Sequence, residues 1–570
     1  MDKTEFSLVD FFYLENGELP LKKRIDEKGF YAPVKKGASC GVTTAESLIP
    51  AEPLKAGEQY RFHFDMSRCV GCQCCVVACN EQNNNPAGVH WRRVGEIEGG
   101  QYPQTQRFNL SMACNHCLDP ACLTGCPTEA YVKLENGVVE HKEEECIGCG
   151  YCTWNCPYSV PQFNPERKIV TKCDMCHHRL ADGLAPACVA ACPEQAIRIE
   201  KVNIAEWREN HTGADAPSVP ESGITLSTTR ITLPKEIPQE MLRANRHRIE
   251  PEKPHTPLIF MTVLTQLAAG GFVTLWMGEI LSHVFNFLKP LQDFLVFGAC
   301  GLLTVTGIAL LASILHLGRP LYAYKALKMW RRSWLSREVL FFSLFSFSGA
   351  VFAALLLGEN YSGFKLPYGV HLIFGSMVSL FGMGGIFASA KIYLVPARPA
   401  WNTVRTPLRF FLTGFILGPL FALVVYSLYV AIEGGSEKIS AAFFGTAGAL
   451  IAVSSLAAFL QLLVLLARLF SLQPRSQDEL SDSAFLLIHR FRKHFFTRIG
   501  LLLLGNFLLP LWLFTSLNSR EGANTFFVTL AMASFSIALI GELLGRYLFF
   551  VTVVPKNIPG SFFNSNGSGH

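Results

Sequence analysis

Residues 146–157 read CIGCGYCTWNCP, and this stretch decides how the first half of the chain folds. Three of its thiols recur at short, equal intervals, so a tight loop can wrap them around one metal centre. The fourth follows about one helical turn later and points away from that loop. A proline then ends the run, because it cannot continue a helix. The four cysteines of this run are Cys146, Cys149, Cys152 and Cys156.

Three more four-cysteine groups share this organisation. They are Cys69-x2-Cys72-x2-Cys75-x3-Cys79, Cys114-x2-Cys117-x4-Cys122-x3-Cys126-Pro127 and Cys173-x2-Cys176-x11-Cys188-x3-Cys192-Pro193. The runs that begin at Cys69 and Cys146 match the bacterial ferredoxin spacing, in which three thiolates hold one cluster and the fourth reaches another. Sixteen cysteines in four groups therefore predict four [4Fe–4S] clusters in two ferredoxin-like pairs.

Structural zinc is the competing interpretation, because paired C-x-x-C units also bind zinc. Zinc sites need two such pairs rather than four-cysteine runs that end in Cys-Pro, so the spacing favours iron. Disulfides are disfavoured as well, because the N-terminal stretch MDKTEFSLVDFFYLENGELP carries early acids and no long apolar core of an export signal. Cys40, Cys74 and Cys300 fall outside the pattern and are predicted to be free thiols.

The second half of the chain is apolar. Eight segments are each long enough to cross about 30 Å of hydrocarbon. They span approximately residues 258–282, 292–316, 338–358, 368–391, 410–432, 440–467, 497–517 and 525–550. The predicted fold is therefore an α+β double ferredoxin-like iron–sulfur domain followed by an all-α eight-helix transmembrane bundle.

The 570 residues divide into five predicted regions. Two of them are the iron–sulfur domain and the membrane bundle, and the other three are polar. In chain order, the five regions are an N-terminal extension that serves as a partner strap (1–60), the iron–sulfur domain (61–200), a linker (201–256), the bundle (257–555) and a disordered tail (556–570).

Lys and Arg in the loops are strongly biased to one side of the bundle. If the segments alternate in direction, 22 Lys and Arg residues lie on the side where the first segment begins, and four lie on the other side. Cationic loops stay in the cytoplasm. The bias predicts that the iron–sulfur domain faces the cytoplasm at the inner membrane, unless a large translocated partner overrides it.

The cysteine groups at roughly 60–200 resemble the four-cluster electron-transfer subunit of the dimethyl sulfoxide reductase family of molybdenum enzymes. That resemblance implies which thiols share a cluster, with the first cluster facing a catalytic subunit and the last facing the membrane. The implied ligand groups are Cys69, Cys72, Cys75 and Cys192; Cys79, Cys173, Cys176 and Cys188; Cys114, Cys117, Cys122 and Cys156; and Cys126, Cys146, Cys149 and Cys152. Nitrate reductase relatives carry tryptophan in place of Cys149 and a three-iron cluster, so the cysteine implies four irons.

Residues 257–555 resemble the anchor subunit of the same enzymes, for example in LASILHLGRP from 311 and GELLGR from 541. In that family the histidine of HLG and the glutamate after it are implicated in menaquinol binding, which implies His316 and Glu338 here. Both fall on the cationic side, where a histidine can exchange a proton with a quinone oxygen and a carboxylate can relay it.

Arg319 is the third candidate quinone-binding residue, although its charge also serves topology. Two alternatives stay open for the others. For His316, the alternative is that it caps a helix end. For Glu338, the alternative is that it pairs with Arg337 or Arg319. In the last segment Glu542 and Arg546 lie four residues apart and are interpreted as internal salt-bridge glue.

The sequence thus predicts an electron-transfer and membrane-anchor subunit with no catalytic residues of its own. Its expected partners are a molybdopterin-containing catalytic subunit, the lipid bilayer and quinone or menaquinone; neither haem nor nucleic acid is expected. The sidedness is similar to that of the cytoplasm-facing sulfite dehydrogenase, which favours sulfite:quinone oxidoreduction. The alternatives are a menaquinol-oxidising dimethyl sulfoxide or polysulfide-type reductase subunit, and a zinc-stabilised membrane scaffold with no redox role.

Overall fold

The computed structural model describes eight stretches of the chain. They are residues 48–238, 240–245, 249–285, 294–362, 367–432, 439–471, 479–516 and 523–560. Most of the predicted N-terminal strap, most of the predicted tail, and Cys40 lie outside the described residues. Within them, an α+β domain is followed by a helical bundle, as the cysteine spacing and the apolar segments predict.

The α+β domain is built from ten short strands and six short helices. The strands are β1 Glu58–Asp65, β2 Arg93–Gly99, β3 Gln106–Met112, β4 Tyr131–Lys133, β5 Val139–His141, β6 Gln162–Asn164, β7 Ile169–Thr171, β8 Ile197–Asn203, β9 Arg230–Thr232 and β10 Met241–Arg243. The helices are α1 Cys74–Gln82, α2 Ala121–Gly125, α3 Tyr151–Asn155, α4 His177–Ala181, α5 Ala187–Ala190 and α6 Ile204–Glu209. Helices α2 to α5 lie within the cysteine groups, and α1 begins within the first group and ends three residues beyond it.

The strands pair into two three-stranded sheets, with strand orders β8-β1-β9 and β10-β2-β3, and two hairpins, β4-β5 and β6-β7. Strand β1 alternates in burial, and Phe62 and Phe64 enter the domain core. Strands β9 and β10 both come from the segment 201–256, which the sequence presents as a linker. Short parts of that segment therefore belong to the sheets of this domain.

Eight helices among the described residues are long and apolar enough to cross a membrane, which confirms the predicted number. The helices of the bundle are α7 Thr256–Ser282, α8 Leu295–Leu315, α9 Trp334–Ser362, α10 Tyr368–Ile392, α11 Arg405–Ile432, α12 Ile439–Ser471, α13 Glu479–Phe485, α14 Arg492–Ser516 and α15 Ala523–Val551. The short α13 is the one that does not cross, and a π turn at Leu504–Leu508 interrupts α14.

Helix α7 is the most buried of the eight and lies at the centre of the bundle. It meets α11 through glycines, because a Cβ atom on Gly270 lies only 2.2 Å from the carbonyl oxygen of Gly414. A Cβ atom on Gly418 is 2.5 Å from the carbonyl carbon of Gly270. Only glycine allows the two backbones to come so close, as is common between membrane helices.

Two segments fasten the iron–sulfur domain to the bundle. The first is the loop between α8 and α9, which contains a 3₁₀ turn at Pro320–Leu327. The second, called the C-terminal strap here, is residues 552–560. It leaves α15 and returns to the iron–sulfur domain, where Ile558 is buried in the domain core. The fold therefore holds the cysteine-rich domain against one end of the bundle.

Candidate functional site

All 18 cysteines among the described residues are free of disulfides. Two cavities in the iron–sulfur domain are each lined by four thiols from separate parts of the chain. One contains a thiol group named set 1, which is Cys69, Cys72, Cys75 and Cys192. The other contains set 3, which is Cys114, Cys117, Cys122 and Cys156. Each cavity thus combines three thiols of one sequence group with the last thiol of another.

The other eight thiols fall into two more groups. Burial, and then charge on Cys188, Cys173 and Cys176, raises the pKa of the Cys79 thiol, so these four lie together as set 2. Burial and charge on its neighbours likewise raise the pKa of the Cys152 thiol. Those neighbours complete set 4, which is Cys126, Cys146, Cys149 and Cys152. The folded chain therefore brings together the same four groups of thiols that the family resemblance implies.

The donor chemistry of these sets fits iron–sulfur clusters. Burial raises the pKa of Cys75, Cys117 and Cys149 to about 12, so bare thiols at these positions stay protonated and need a bound cationic metal to ionise. Backbone N–H groups also point at sulfur. Ala130 donates to Cys126 Sγ and Ala196 donates to Cys192 Sγ, each at 3.3 Å. Four soft sulfur donors with N–H support are the environment that a [4Fe–4S] cluster requires.

Set 4 lies next to the membrane bundle. Cys149 packs against the large hydrophobic core of the bundle, and Tyr151 and Trp154 of α3 belong to that core. The Trp154 ring lies 5.1 Å from His255, at the start of α7, and 5.8 Å from Tyr393, after α10. Part of the iron–sulfur domain is therefore buried among membrane helices directly beside this thiol set.

The loop between α8 and α9 binds the backbone around set 4. The Gly318 N–H donates to the Gly148 carbonyl at 3.3 Å, and the Arg319 N–H donates to the Ile147 carbonyl at 3.1 Å. Further along, the Ser333 hydroxyl donates to the Gly125 carbonyl at 2.6 Å. These bonds hold the loop that carries His316 and Arg319 against the loops that carry the thiols.

His316 ends α8, and its ring is half-buried. Its Nδ1 atom bonds the carbonyl oxygen of Ser313. A carbonyl only accepts, so Nδ1 carries the proton and the neutral ring presents Nε2 as a hydrogen-bond acceptor. The residue does cap a helix end, as one alternative holds, and it keeps one ring nitrogen available for a partner.

Glu338 is buried near the start of α9 and lies beside Ser389 of α10. Burial raises the pKa of the Tyr151 and Tyr393 hydroxyls, and the nearby Glu338 carboxylate raises it further. The alternative that it pairs with a neighbouring arginine is wrong. Arg337 donates to the carbonyls of Trp330 and Arg331, and neither Arg337 nor Arg319 forms an ion pair with it.

Arg319 lies on the cluster side of this interface. Its Nη1 donates to the carbonyl oxygen of Glu143 at 2.9 Å, and its charge lowers the pKa of Cys146 against the larger effect of burial. Two more cations of the same loop pair with acids of the iron–sulfur domain, Lys325 with Glu145 at 3.4 Å and Lys328 with Glu129 at 3.1 Å. Part of the positive bias therefore serves docking between the two domains.

The aromatic and histidine residues around Trp154 were not identified from the sequence. The motif CTWNCP contains Trp154, but cluster ligation needs only its cysteines, so nothing marked the tryptophan as an interface residue. His255 and Tyr393 likewise lie outside every motif. Only their packing around the α3 helix places them between set 4, His316 and Glu338.

The polar pair of the last helix is arranged differently from the prediction. Glu542 pairs with Arg498 of α14 at 3.7 Å and accepts a hydrogen bond from Gln461 at 2.8 Å. Arg546 instead donates to Gln266 of α7 at 2.7 Å. The two residues therefore join separate pairs of helices, because neighbouring helices offer them better placed partners than the i,i+4 geometry does.

Comparison with known proteins agrees with this architecture. Residues 252–551 match the family model described as DMSO reductase anchor subunit (DmsC). Residues 105–202 match the one described as 4Fe-4S dicluster domain. The chain is 40% identical over 178 residues to the B subunit of the anaerobic dimethyl sulfoxide reductase of Haemophilus influenzae, which covers 30% of this chain and 86% of that protein.

Two further relatives match the same half. The B subunit of the anaerobic dimethyl sulfoxide reductase of Escherichia coli K12 is 40% identical over 161 residues, covering 27% of this chain and 78% of that protein. The formate dehydrogenase-O iron-sulfur subunit of the same organism is 36% identical over 183 residues, covering 29% of this chain and 59% of that protein. This chain is therefore a member of the dimethyl sulfoxide reductase anchor-subunit family, and it fuses that multi-pass membrane anchor to an electron-transfer domain that binds [4Fe–4S] clusters.

Proposed function

We propose that the chain holds four [4Fe–4S] clusters, one on each thiol set, and a quinone site at the junction of its two domains. It passes electrons between a separate molybdopterin-containing catalytic subunit and the quinone pool. The observation that carries the proposal is the position of set 4. This set lies against the membrane core, and the loop that carries His316 is bonded to the backbone around it.

The quinone site is assigned to His316 and Glu338, with Arg319 holding the loop. When bound, the clusters supply one-electron transfer. The protein residues supply what quinone chemistry also needs, which is hydrogen bonding and proton exchange. Nε2 of His316 accepts the hydroxyl proton of a quinol, or, when protonated, donates to a quinone oxygen. Glu338 gives this interface a buried carboxylate that can hold a proton.

Two catalytic partners fit this role. The cationic loops favour a cytoplasm-facing iron–sulfur domain, and with it a partner that oxidises sulfite and sends electrons to quinone. The relatives named as subunits of anaerobic dimethyl sulfoxide reductase favour a reductase that takes electrons from menaquinol. Co-purification of the catalytic subunit from native membranes and its identification decides between them. An N-terminal tag that is accessible only from the periplasm contradicts the cytoplasmic assignment.

The quinone site is tested with the purified complex carrying His316→Ala. We expect quinone-dependent turnover to be lost, while turnover coupled to an artificial dye and the iron content stay at native levels. The matched control is His283→Ala, because His283 is exposed at the opposite end of the bundle, after α7. Quinone-dependent turnover that survives His316→Ala contradicts the assignment.

A further inference from the structure

Two long cationic side chains are buried inside the iron–sulfur domain. Arg92 is 2% exposed and Lys172 is 3% exposed. An unpaired charge in such surroundings is very costly, because the protein interior replaces little of the lost hydration. Neither forms an ion pair with a carboxylate among the described residues. No carboxylate among the described residues therefore balances either charge at contact distance.

Arg92 faces thiols of sets 1 and 2. Its Nη1 donates to Ser111 Oγ at 3.1 Å, and the same hydroxyl lies 3.4 Å from Cys75 Sγ of set 1. Its Nε and Nη2 atoms are buried without a hydrogen-bond partner. Its charge lies within electrostatic range of four sulfurs, those of Cys75 in set 1 and of Cys79, Cys173 and Cys188 in set 2. The guanidinium thus lies at the junction of the first two sets.

Lys172 occupies the next junction. Its Nζ donates to the carbonyl of Cys173, a residue of set 2, at 2.8 Å, and also bonds the carbonyl of Val139. The same side chain lines the cavity that holds set 3. Its charge lies within electrostatic range of Cys114 and Cys122 of set 3, of Cys173 of set 2, and of the carboxylate of Asp174. One cation therefore lies between sets 1 and 2, and the other between sets 2 and 3.

Positive charge at these two positions affects how readily the neighbouring clusters are reduced. A cluster with four thiolate ligands is anionic, and reduction adds a further negative charge, so neighbouring clusters oppose each other's reduction. A fixed positive charge in a dry interior stabilises the reduced form of the clusters beside it. Net charge and hydrogen bonds to the sulfurs are among the factors that set cluster potentials.

We propose that Arg92 and Lys172 are the charge-compensating residues of the first two junctions in the cluster chain, and that they raise the reduction potentials of the clusters on either side. This rests on the proposed four-cluster content. It assigns to two residues outside the ligand motifs the role of keeping three successive clusters reducible together.

The test is a redox titration of the purified complex, followed by electron paramagnetic resonance, with Arg92→Gln and Lys172→Met. Each variant is expected to lower two of the four potentials. The cluster of set 2 is expected to shift in both variants, because set 2 lies within electrostatic range of both cations. The cluster of set 4 is expected to shift in neither, because both cations lie beside other sets. The matched control is Arg107→Gln, which removes an exposed cation that pairs with Glu96 and Glu98. It is expected to leave all four potentials unchanged.

Charge-preserving variants separate an electrostatic role from a packing role. Arg92→Lys and Lys172→Arg are expected to keep the potentials close to native, even where the neutral variants lose clusters. The proposal is overturned if the neutral variants keep all their iron and native potentials, or if the charge-preserving variants shift the potentials as much as the neutral ones. Iron analysis of the unmodified protein tests the four-cluster content separately, since a lower iron count rejects the proposed function before any variant is compared.

Discussion

Cys149 distinguishes two cluster types at the residue scale. It belongs to set 4 and is half-buried against the membrane core. Burial raises its pKa to about 12, so a bound metal is needed to keep it ionised. The nitrate reductase relatives of the family that the sequence resembles carry a tryptophan at this position and have a three-iron cluster. The identity of this one side chain is thus expected to decide the composition of the cluster nearest the membrane.

Replacing Cys149 with alanine removes one sulfur donor from set 4. We expect the Cys149→Ala variant to lose about one iron atom of the sixteen that four cubanes contain, and to gain the resonance signature of a three-iron cluster. Iron analysis and electron paramagnetic resonance measure this. Cys300→Ala is the control, because Cys300 lies in α8, outside every thiol set. Full iron content in Cys149→Ala shows that this thiol is not a ligand.

At the scale of elements, three membrane helices are joined at the end of the bundle opposite the iron–sulfur domain. His371 of α10 lies between Glu279 of α7 and Glu359 of α9. Its Nδ1 and Nε2 atoms are each 2.9 Å from a carboxylate oxygen. Glu279 is 6% exposed, so it depends on this contact. The sequence offered no partner for this histidine, because both carboxylates belong to other helices and no local period links them to His371.

Substituting His371 with leucine leaves Glu279 buried without its imidazole. We expect His371→Leu to destabilise the bundle by about 3–5 kcal/mol, the usual cost of breaking a buried charged pair. The midpoint of thermal unfolding in detergent is the measurement. His283→Gln, a change at an exposed residue on the same side of the bundle, is expected to leave that midpoint in place. Equal midpoints for the two variants contradict a stabilising role for the contact between His371 and the two glutamates.

The contact between the α8–α9 loop and the iron–sulfur domain depends on a glycine. A Cβ atom at Gly318 lies 2.0 Å from the carbonyl oxygen of Lys168, which no side chain can tolerate without a backbone shift. Gly148 approaches the same carbonyl, with a Cβ distance of 2.4 Å. The two glycines allow the thiol loop and the membrane loop to touch through their backbones, and this sets the distance from set 4 to His316.

Gly318→Ala therefore pushes the two loops apart. We expect a loss of about 1–3 kcal/mol in the stability of the interface, as overpacking usually costs, with slower quinone-dependent turnover and unchanged iron content. The control is Gly307→Ala in α8, where a Cβ atom meets nothing within 4 Å. Native turnover in Gly318→Ala indicates that the loop spacing does not limit electron transfer.

At the scale of the whole molecule, the C-terminal strap closes the chain on itself. The Lys556 N–H donates to the Ala397 carbonyl of the bundle at 2.9 Å, and Arg243 of β10 donates to the Asn557 carbonyl at 2.6 Å. Ile558 is 3% exposed in the core of the iron–sulfur domain. The last turn of the membrane bundle is thereby tied to the soluble domain, in addition to the covalent link before α7.

Removing the apolar anchor of this strap is expected to weaken the union of the two domains. Ile558→Ala removes most of a buried side chain, which costs about 2–5 kcal/mol in a core that cannot collapse around the gap. Release of iron on heating, followed by absorbance, is expected to begin at a lower temperature. Lys556→Ala serves as the comparison, because the contacts at Lys556 run through its backbone. A native iron-release temperature for Ile558→Ala shows that the strap does not hold the domains together.

Features that depend on short stretches of chain could be predicted from the amino-acid sequence. Cysteine spacing identified the thiol loops, because a cluster needs several ligands within one tight turn. The lengths of the apolar segments gave eight membrane helices, because bilayer thickness fixes the number of residues per crossing. The linker prediction was less complete. Strands β9 and β10 are only three residues each, and they form because β1 and β2 offer open edges to pair with.

Tertiary structure alone decided which distant residues meet. Within the chain itself, only folding brings Cys156 to the thiols of the second cysteine group, moves Trp154 among the membrane helices and gives Glu542 its partner Arg498. Local periodicity carries no information about such contacts, because they join elements separated by tens to hundreds of residues. The buried charges of Arg92 and Lys172 belong to the same class. Their proposed role follows from the absence of ion pairs with carboxylates among the described residues of a dry interior, a property of the folded domain and not of any motif.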